Sequence, residues 1–189
     1  MPKNHLKTLK APITWPINRK HNKFVKRPNP GANKIELSIP ITTALKVLNI
    51  AQTTKHVKKL IHERKILVNK KQISDEKHSI GLLDILSIKD SNQNNILLIN
   101  KFNKLYFEEI SEKESSQKIC KITDKKHVKK GLYQLTTLDG RNFTLKKSDH
   151  KTGDSIIISI PKQEIKETIP LKKGVKILLY KGKHVGKVA

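Results

Sequence analysis

The sequence predicts an α+β protein. It reads as a basic extended arm over residues 1–38, a compact unit of two short helices and a hairpin over 39–89, a β-rich domain of barrel or sandwich type over 90–170, and a short final segment over 171–189. Three observations predict this. The first 35 of 189 residues hold nine Lys/Arg and no Asp or Glu. Apolar residues then recur at helical spacing from about Ser38 to Ile61. Beyond Asp90, short β-branched runs alternate with turn residues.

The arm carries Pro2, Pro12, Pro16, Pro28, Pro30 and Gly31, which break helix and strand. Its apolar residues (Leu6, Leu9, Ile13, Trp15, Ile17, Phe24, Val25) look too sparse for a core. Uncompensated basic charge repels itself and gains order on meeting a polyanion. The arm therefore reads as a segment ordered on nucleic acid, against the plainer reading of a disordered tail. Trp15, between Thr14 and Pro16, suits packing on a domain or stacking on a base.

From Ser38 the pattern turns helical, with Ile41, Ala44, Leu45 and Leu48 on one face. A second helix starts at about Thr54, read as its N-cap, with Val57, Leu60 and Ile61 facing inward. Ile66–Val68 reads as a strand, Asn69–Lys71 as a turn and Gln72-Ile73 as a short return. Asp84–Lys89 closes the unit. Later strands are expected at Ile96–Ile99, Leu105–Phe107, Lys118–Thr123, Leu132–Leu138, Arg141–Leu145 and Ser155–Ile160. Asp139-Gly140 carries the type I′ hairpin signal. Glu108–Glu114, with four Glu in seven residues, reads as a solvated face. Lys176–Tyr180 reads as a last strand before the basic turn Lys181–Lys187.

The net charge is +24 and the pI about 10.1. A small domain normally carries roughly 2–8 charges, so a neutralising partner is expected. No apolar run approaches the about 20 residues of a membrane-spanning helix, and no signal-peptide pattern is evident. Cys120 is the only cysteine, which excludes an internal disulfide and fits a reducing compartment. It reads as a core residue. The eight His show no metal-ligand spacing, and there is no phosphate-binding glycine loop, no activated nucleophile and no acid–base carboxylate pair. The 36 Lys against four Arg, together with abundant Asn and Ile, reflect A/T-rich codons.

The candidate binding residues are cationic and lie in clusters. Lys55, Lys58, Lys59, Arg64 and Lys65 crowd the second helix and its end. Asn69, Lys70 and Lys71 decorate the adjacent hairpin. Lys125, Lys126, His127, Lys129 and Lys130 read as a basic loop. With aromatics at 4%, broad base stacking is not expected, and recognition of folded RNA through phosphate and shape fits better.

Several short runs resemble one family in order along nearly the whole chain. They are His5-Leu6-Lys7, Ala11-Pro12 with Trp15-Pro16, Arg19-Lys20, Pro28-Asn29-Pro30-Gly31, Ser38-Ile39-Pro40, Ile66–Asn69, Gly81–Ile85, Asp139–Asn142, Gly153-Asp154-Ser155 and Gly182–Gly186. The family is small-subunit ribosomal protein four of the archaeal and eukaryotic type, and Trp15-Pro16 looks archaeal. The resemblance implies an alpha-L-type RNA-binding fold over about 39–89, a central β domain, and a KOW domain of which only 171–189 is present. It implies a non-enzymatic, cofactor-free and metal-free constituent of the cytoplasmic ribosome. Its partners would be small-subunit ribosomal RNA and neighbouring ribosomal proteins, with no membrane or small-molecule substrate. RNA contacts implied are Lys3, His5, Lys7, Lys10, Trp15, Arg19, Lys20 and Lys23 on the arm. The helix and hairpin residues above form the alpha-L face, and Lys181, Lys183, His184 and Lys187 form the last turn. Arg64 and Lys70 stand where the family commonly has Gly, which puts the turn geometry in question because Lys is penalised at positive φ. The last segment is expected to fail as a complete barrel, with Lys176–Tyr180 pairing to the central domain or packing on RNA, and Val185 and Val188 partly buried. Rival readings are an RNA-modifying enzyme with an accessory alpha-L module and a free RNA chaperone.

Overall fold

The computed structural model describes residues 5–128, 131–146 and 149–189. The arm folds back on itself. Strand β1 (Leu6–Lys7) pairs antiparallel with β2 (Phe24–Val25). Between them the Arg19 guanidinium donates to the carbonyls of Ala11 at 3.0 Å and Pro12 at 2.6 Å. Trp15 is fully buried, and its Nε1 donates to the Ser38 carbonyl at 2.7 Å. Ala11 joins the same core, and Leu6, Ile17 and Val25 pack against it. Two expectations are thereby corrected. The arm does contribute to a core, because one indole brings roughly 150–250 Å² of burial that a count of apolar residues undervalues. And Trp15 takes the packing role, so its ring offers no face to a base.

Strand β3 (Ser38–Pro40) occupies the place where the helical pattern was expected to start, and it pairs with β6 (Ser79–Gly81). Helix α1 (Ile41–Val47) begins after Pro40 and buries Ile41, Ala44 and Leu45. Helix α2 (Thr54–His62) buries Val57 and Ile61. Its cap is Thr53, one residue earlier than expected, whose Oγ1 accepts the His56 N–H at 3.2 Å. Strands β4 (Ile66–Val68), β5 (Lys71–Gln72), β7 (Ile85–Ile88), β8 (Gln93–Ile99) and β9 (Leu105–Ile110) form one antiparallel sheet in the order β5-β4-β7-β8-β9. The division read at residue 89 therefore runs through a sheet: β8 and β9 belong with the helices. Strand spacing alone carries no signal of which neighbour a strand will choose.

The second sheet holds β10 (Gln117–Val128), β11 (Leu132–Thr137), β12 (Asn142–Leu145), β13 (Ser155–Ser159) and β14 (Ile165–Ile169) in the order β12-β11-β10-β13-β14. The first part of β10 pairs with β13 and the second with β11, with a register shift between Ile122 and Asp124. Such a shift bends and twists a strand, so the sheet curls into an open half-barrel. Lys125–His127, expected in a loop, lie within β10. The Asp139-Gly140 hairpin is present, but only Gly140 has positive φ, at 73°, and its N–H donates to the Thr137 carbonyl at 3.0 Å. That is a type I turn continued by a left-handed glycine, not type I′.

In the last segment Leu178 bridges to Val188, and Ile177 and Ala189 exchange two backbone hydrogen bonds. Lys176–Tyr180 thus pairs with the chain's own final residues and not with the second sheet. Val185 is buried in the first core, whereas Val188 is 66% exposed.

Candidate nucleic-acid interface

Helix α2 presents its cations because its apolar residues have a single seat. With Val57 and Ile61 inward, Lys55, Lys58 and Lys59 fall on the outer surface and are exposed. Their acid partners are distant: Lys58 lies 3.8 Å from Glu76, and Lys59 lies 3.8 Å from Glu63. Ion pairs at that separation and exposure contribute little, so the ammonium groups keep their charge for a polyanion. Lys65 differs. It bonds Asp90 at 2.8 Å and Glu63 at 2.9 Å, and these bonds push its ammonium up to about 12. It closes a local charge cluster and adds little free field. Arg64 is exposed at the end of the helix with φ 54°.

The hairpin between β4 and β5 turns on Asn69 and Lys70, at φ 50° and 59°. Two left-handed central residues are the type I′ geometry, so the turn keeps its form although Lys stands where Gly would be at ease. Asn69 is buried. Its Nδ2 donates to Asp84 Oδ1 at 2.7 Å and its Oδ1 accepts the Ile85 N–H at 3.1 Å. It holds the turn and offers no face to RNA, which corrects its reading as a contact. Lys71 is exposed beside it, and Lys70 is half-buried.

On the arm, His5, Lys7, Lys10, Lys20 and Lys23 are exposed. Arg19 is spent on the arm's own carbonyls, so it too is structural. In the second sheet Lys125 donates to the His150 carbonyl at 3.0 Å and lies 5.0 Å from the Tyr133 ring centroid, while Lys126 is exposed and 3.2 Å from Asp124. Lys181, Lys183, His184 and Lys187 are all exposed on a turn anchored by Val185. Lys3, Lys129 and Lys130 lie outside the described residues.

One lysine that sequence reasoning passed over sits between the two sheets. Lys118 is buried and bonds Asp84 at 2.6 Å and Asp139 at 2.8 Å, and Arg141 meets the same Asp139 oxygen at 2.8 Å. Burial pulls the Lys118 ammonium down, but the two carboxylates outweigh it and raise it. Burial pushes the Asp139 carboxyl up, yet Lys118 and the bonds around it hold it at about 2. Cys120, next along the inward row, has its thiol pushed up to about 12 by burial and by Asp139. It is inert as a nucleophile. The readable signal was the alternation: Lys118, Cys120 and Ile122 share one face of β10.

Among the described residues no cluster of three or more His, Cys, Asp or Glu could hold a metal ion, and no helix is long and apolar enough to cross a membrane. The candidate interface is a set of exposed cations on a folded frame.

Two family models match the chain: the ribosomal family S4e over residues 91–165 and the RS4NT domain over residues 1–36. The chain is 38% identical to the small ribosomal subunit protein eS4 of Methanocaldococcus jannaschii, covering all of this chain and 80% of that one. The chain belongs to the S4e family. The eS4 protein of Nanoarchaeum equitans is 36% identical over 98% of this chain and 80% of its own. The crystal structure of the 30S ribosomal protein S4e of Thermoplasma acidophilum shares the fold, with TM-score 0.71 and 22% identity over 80% of this chain and 79% of that one. S4e is a family of ribosomal proteins and not of enzymes.

Proposed function

We propose that this chain is a structural constituent of the small ribosomal subunit in the cytoplasm, where it binds folded ribosomal RNA and touches neighbouring ribosomal proteins. The observation that carries this is likeness along the whole chain to proteins named small ribosomal subunit protein eS4. The exposed cations support the RNA part. Residues 39–89 act as an alpha-L-type module: Lys55, Lys58 and Lys59 on α2, Arg64 at its end, and Lys70 and Lys71 on the hairpin engage phosphates. His5, Lys7, Lys10, Lys20 and Lys23 add a second line of contact from the arm. Lys126, with Lys3, Lys129 and Lys130 by charge, and Lys181, Lys183, His184 and Lys187 on the KOW-like last segment extend it. The mechanism is neutralisation of phosphates with release of their counterions, and bracing of RNA junctions by a rigid shape.

Sedimentation through a sucrose gradient tests it. The chain should migrate stoichiometrically with the small subunit; migration as a free protein would remove the reading. Changing Lys55, Lys58 and Lys59 together to Glu should leave the melting temperature nearly intact. It should lower the slope of log K against log salt for small-subunit rRNA by about 3. The same reversal at Lys162, Lys166 and Lys172 should do much less. Equal losses at both sets would mean that overall charge, and not this face, drives binding.

A further inference from the structure

We infer that the tip of the turn between β8 and β9 is a base-stacking site for RNA, with Phe102 as its platform and the C-terminal turn as its phosphate clamp. The inference rests on the RNA-binding function proposed above and adds a site to it. Phe102 is 72% exposed, which leaves a large apolar ring in water at a cost in free energy. The turn holds it there. Asn100 Oδ1 accepts the N–H of Phe102 at 2.9 Å and of Lys104 at 3.0 Å, the Asn103 N–H donates to the Asn100 carbonyl at 3.0 Å, and Asn103 sits at φ 58°. These internal bonds fix the backbone from which the Phe102 ring projects. The Lys101 ammonium lies 5.3 Å from the ring centroid.

Two distant segments meet this tip. The arm runs beside it: the Leu105 N–H donates to the Thr14 carbonyl at 2.8 Å, and Lys104 Nζ donates to the Ile13 carbonyl. The C-terminal turn is seated on it. Gly186, at φ 73°, approaches so closely that a Cβ there would fall 2.1 Å from the Asn100 carbonyl carbon. Backbone that near can only meet glycine. Gly186 packs against the backbone of Asn100 and Lys101 and Val185 is buried, so the turn that carries the exposed Lys183, His184 and Lys187 is seated on the backbone of the residues leading to Phe102.

The charge of the three segments decides what fits. Each comes from a stretch of sequence with no Asp or Glu: residues 1–35, 91–107 and 168–189. Their junction brings together segments that carry cations and no acid of their own, beside an exposed aromatic ring in a chain with few aromatics. An exposed π-face beside exposed cations is the complement of a nucleotide, whose base stacks and whose phosphates pair.

The test is a set of binding titrations of the full chain with transcribed small-subunit rRNA of the same organism across a salt series. Phe102→Ala should lower affinity about 5- to 150-fold at every salt concentration, as loss of one stacked base does. It should leave the salt slope unchanged, because stacking releases no counterion. Phe102→Trp should restore binding and Phe102→Leu should not. Gly186→Ala, which must lift the clamp, should weaken binding and reduce the slope. Wild-type affinity in Phe102→Ala, full rescue by Leu, or a reduced slope in Phe102→Ala overturns the stacking role. Normal rRNA affinity with loss of assembly into the subunit makes the tip a protein contact and overturns it too. A wild-type chain with no affinity for rRNA overturns the proposed function itself, and this inference with it.

Discussion

Around the first sheet, side chains from widely separated parts of the chain share one apolar core, from Ala11 and Trp15 through Ile41, Val57, Leu86 and Leu105 to Val185. Around the second, six buried residues between Cys120 and Ile158 serve, all from neighbouring strands. The first core closes only when the arm and the last turn have come home. The second closes through its hairpins and one longer return, that of β13 onto β10. Long-range closure costs more chain entropy before contacts repay it, so the first region depends on a few distant anchors, whereas the second depends on its ladders. Lys118 is where the two are tied.

The largest effect should come from cutting that tie. Lys118→Ala strips the cation from buried Asp84 and leaves half-buried Asp139 to Arg141, and should cost about 3–5 kcal/mol. It should also uncouple the regions, seen as two melting steps by calorimetry. A single transition at the wild-type temperature would show that the sheets are joined by other contacts. Trp15→Ala should cost about 3–5 kcal/mol and act on the first region alone. Hydrogen exchange should quicken in α1, α2 and β4 while β10 and β13 keep their protection. Loss spread evenly over both sheets would erase the distinction drawn between them.

Acid should loosen the join next. The Asp139 carboxyl is held at about 2, below its usual 3.8. A lowered carboxyl contributes stability that is fully present above the unfolded value and is lost as pH falls through the folded one. Lys118, raised, stays charged throughout that range. Urea midpoints should therefore be level near neutrality and fall between about pH 4 and pH 2, less so in Lys118→Ala. A midpoint insensitive to that window would mean that Asp139 contributes nothing to the join. The smallest effect is local. Lys70→Gly relieves a left-handed lysine and should stabilise the first region by up to about 1 kcal/mol, the gain at the turn being offset in part by a freer unfolded chain. A loss of stability would mean that the Lys70 stem packs usefully.

The same contrast explains what the sequence made legible. Both helices, the Ile66–Val68 strand and most of the later strands follow from periodicity, because Ile41, Ala44 and Leu45, or Ile156 and Ile158, repeat at the spacing their element demands. Strand β6 (Ser79–Gly81) and strand β14 (Ile165–Ile169) did not stand out, being short or carrying Lys and Glu on an edge. The arm's docking rests on a single indole, which no periodicity records. Among the cations, exposure of Lys55, Lys58 and Lys59 followed from the helix face. Residue type alone could not separate Lys118, Arg19 and Asn69, which are used internally, from their exposed counterparts. The order of family-like runs carried the identity of the fold where local spacing could not.

Trp15 is the only tryptophan in the chain, and it is sealed under the arm with its indole N–H on the Ser38 carbonyl. The protein thus carries its own optical gauge of arm seating. Emission from a dry indole lies to the blue and shifts red on contact with water, so the spectrum reports directly whether residues 5–35 are docked or lifted away. Because no second indole contributes, the signal belongs to that one segment. It can be followed in real time while RNA, salt or acid is added, without attaching any label to a chain whose surface lysines would otherwise be the sites of labelling.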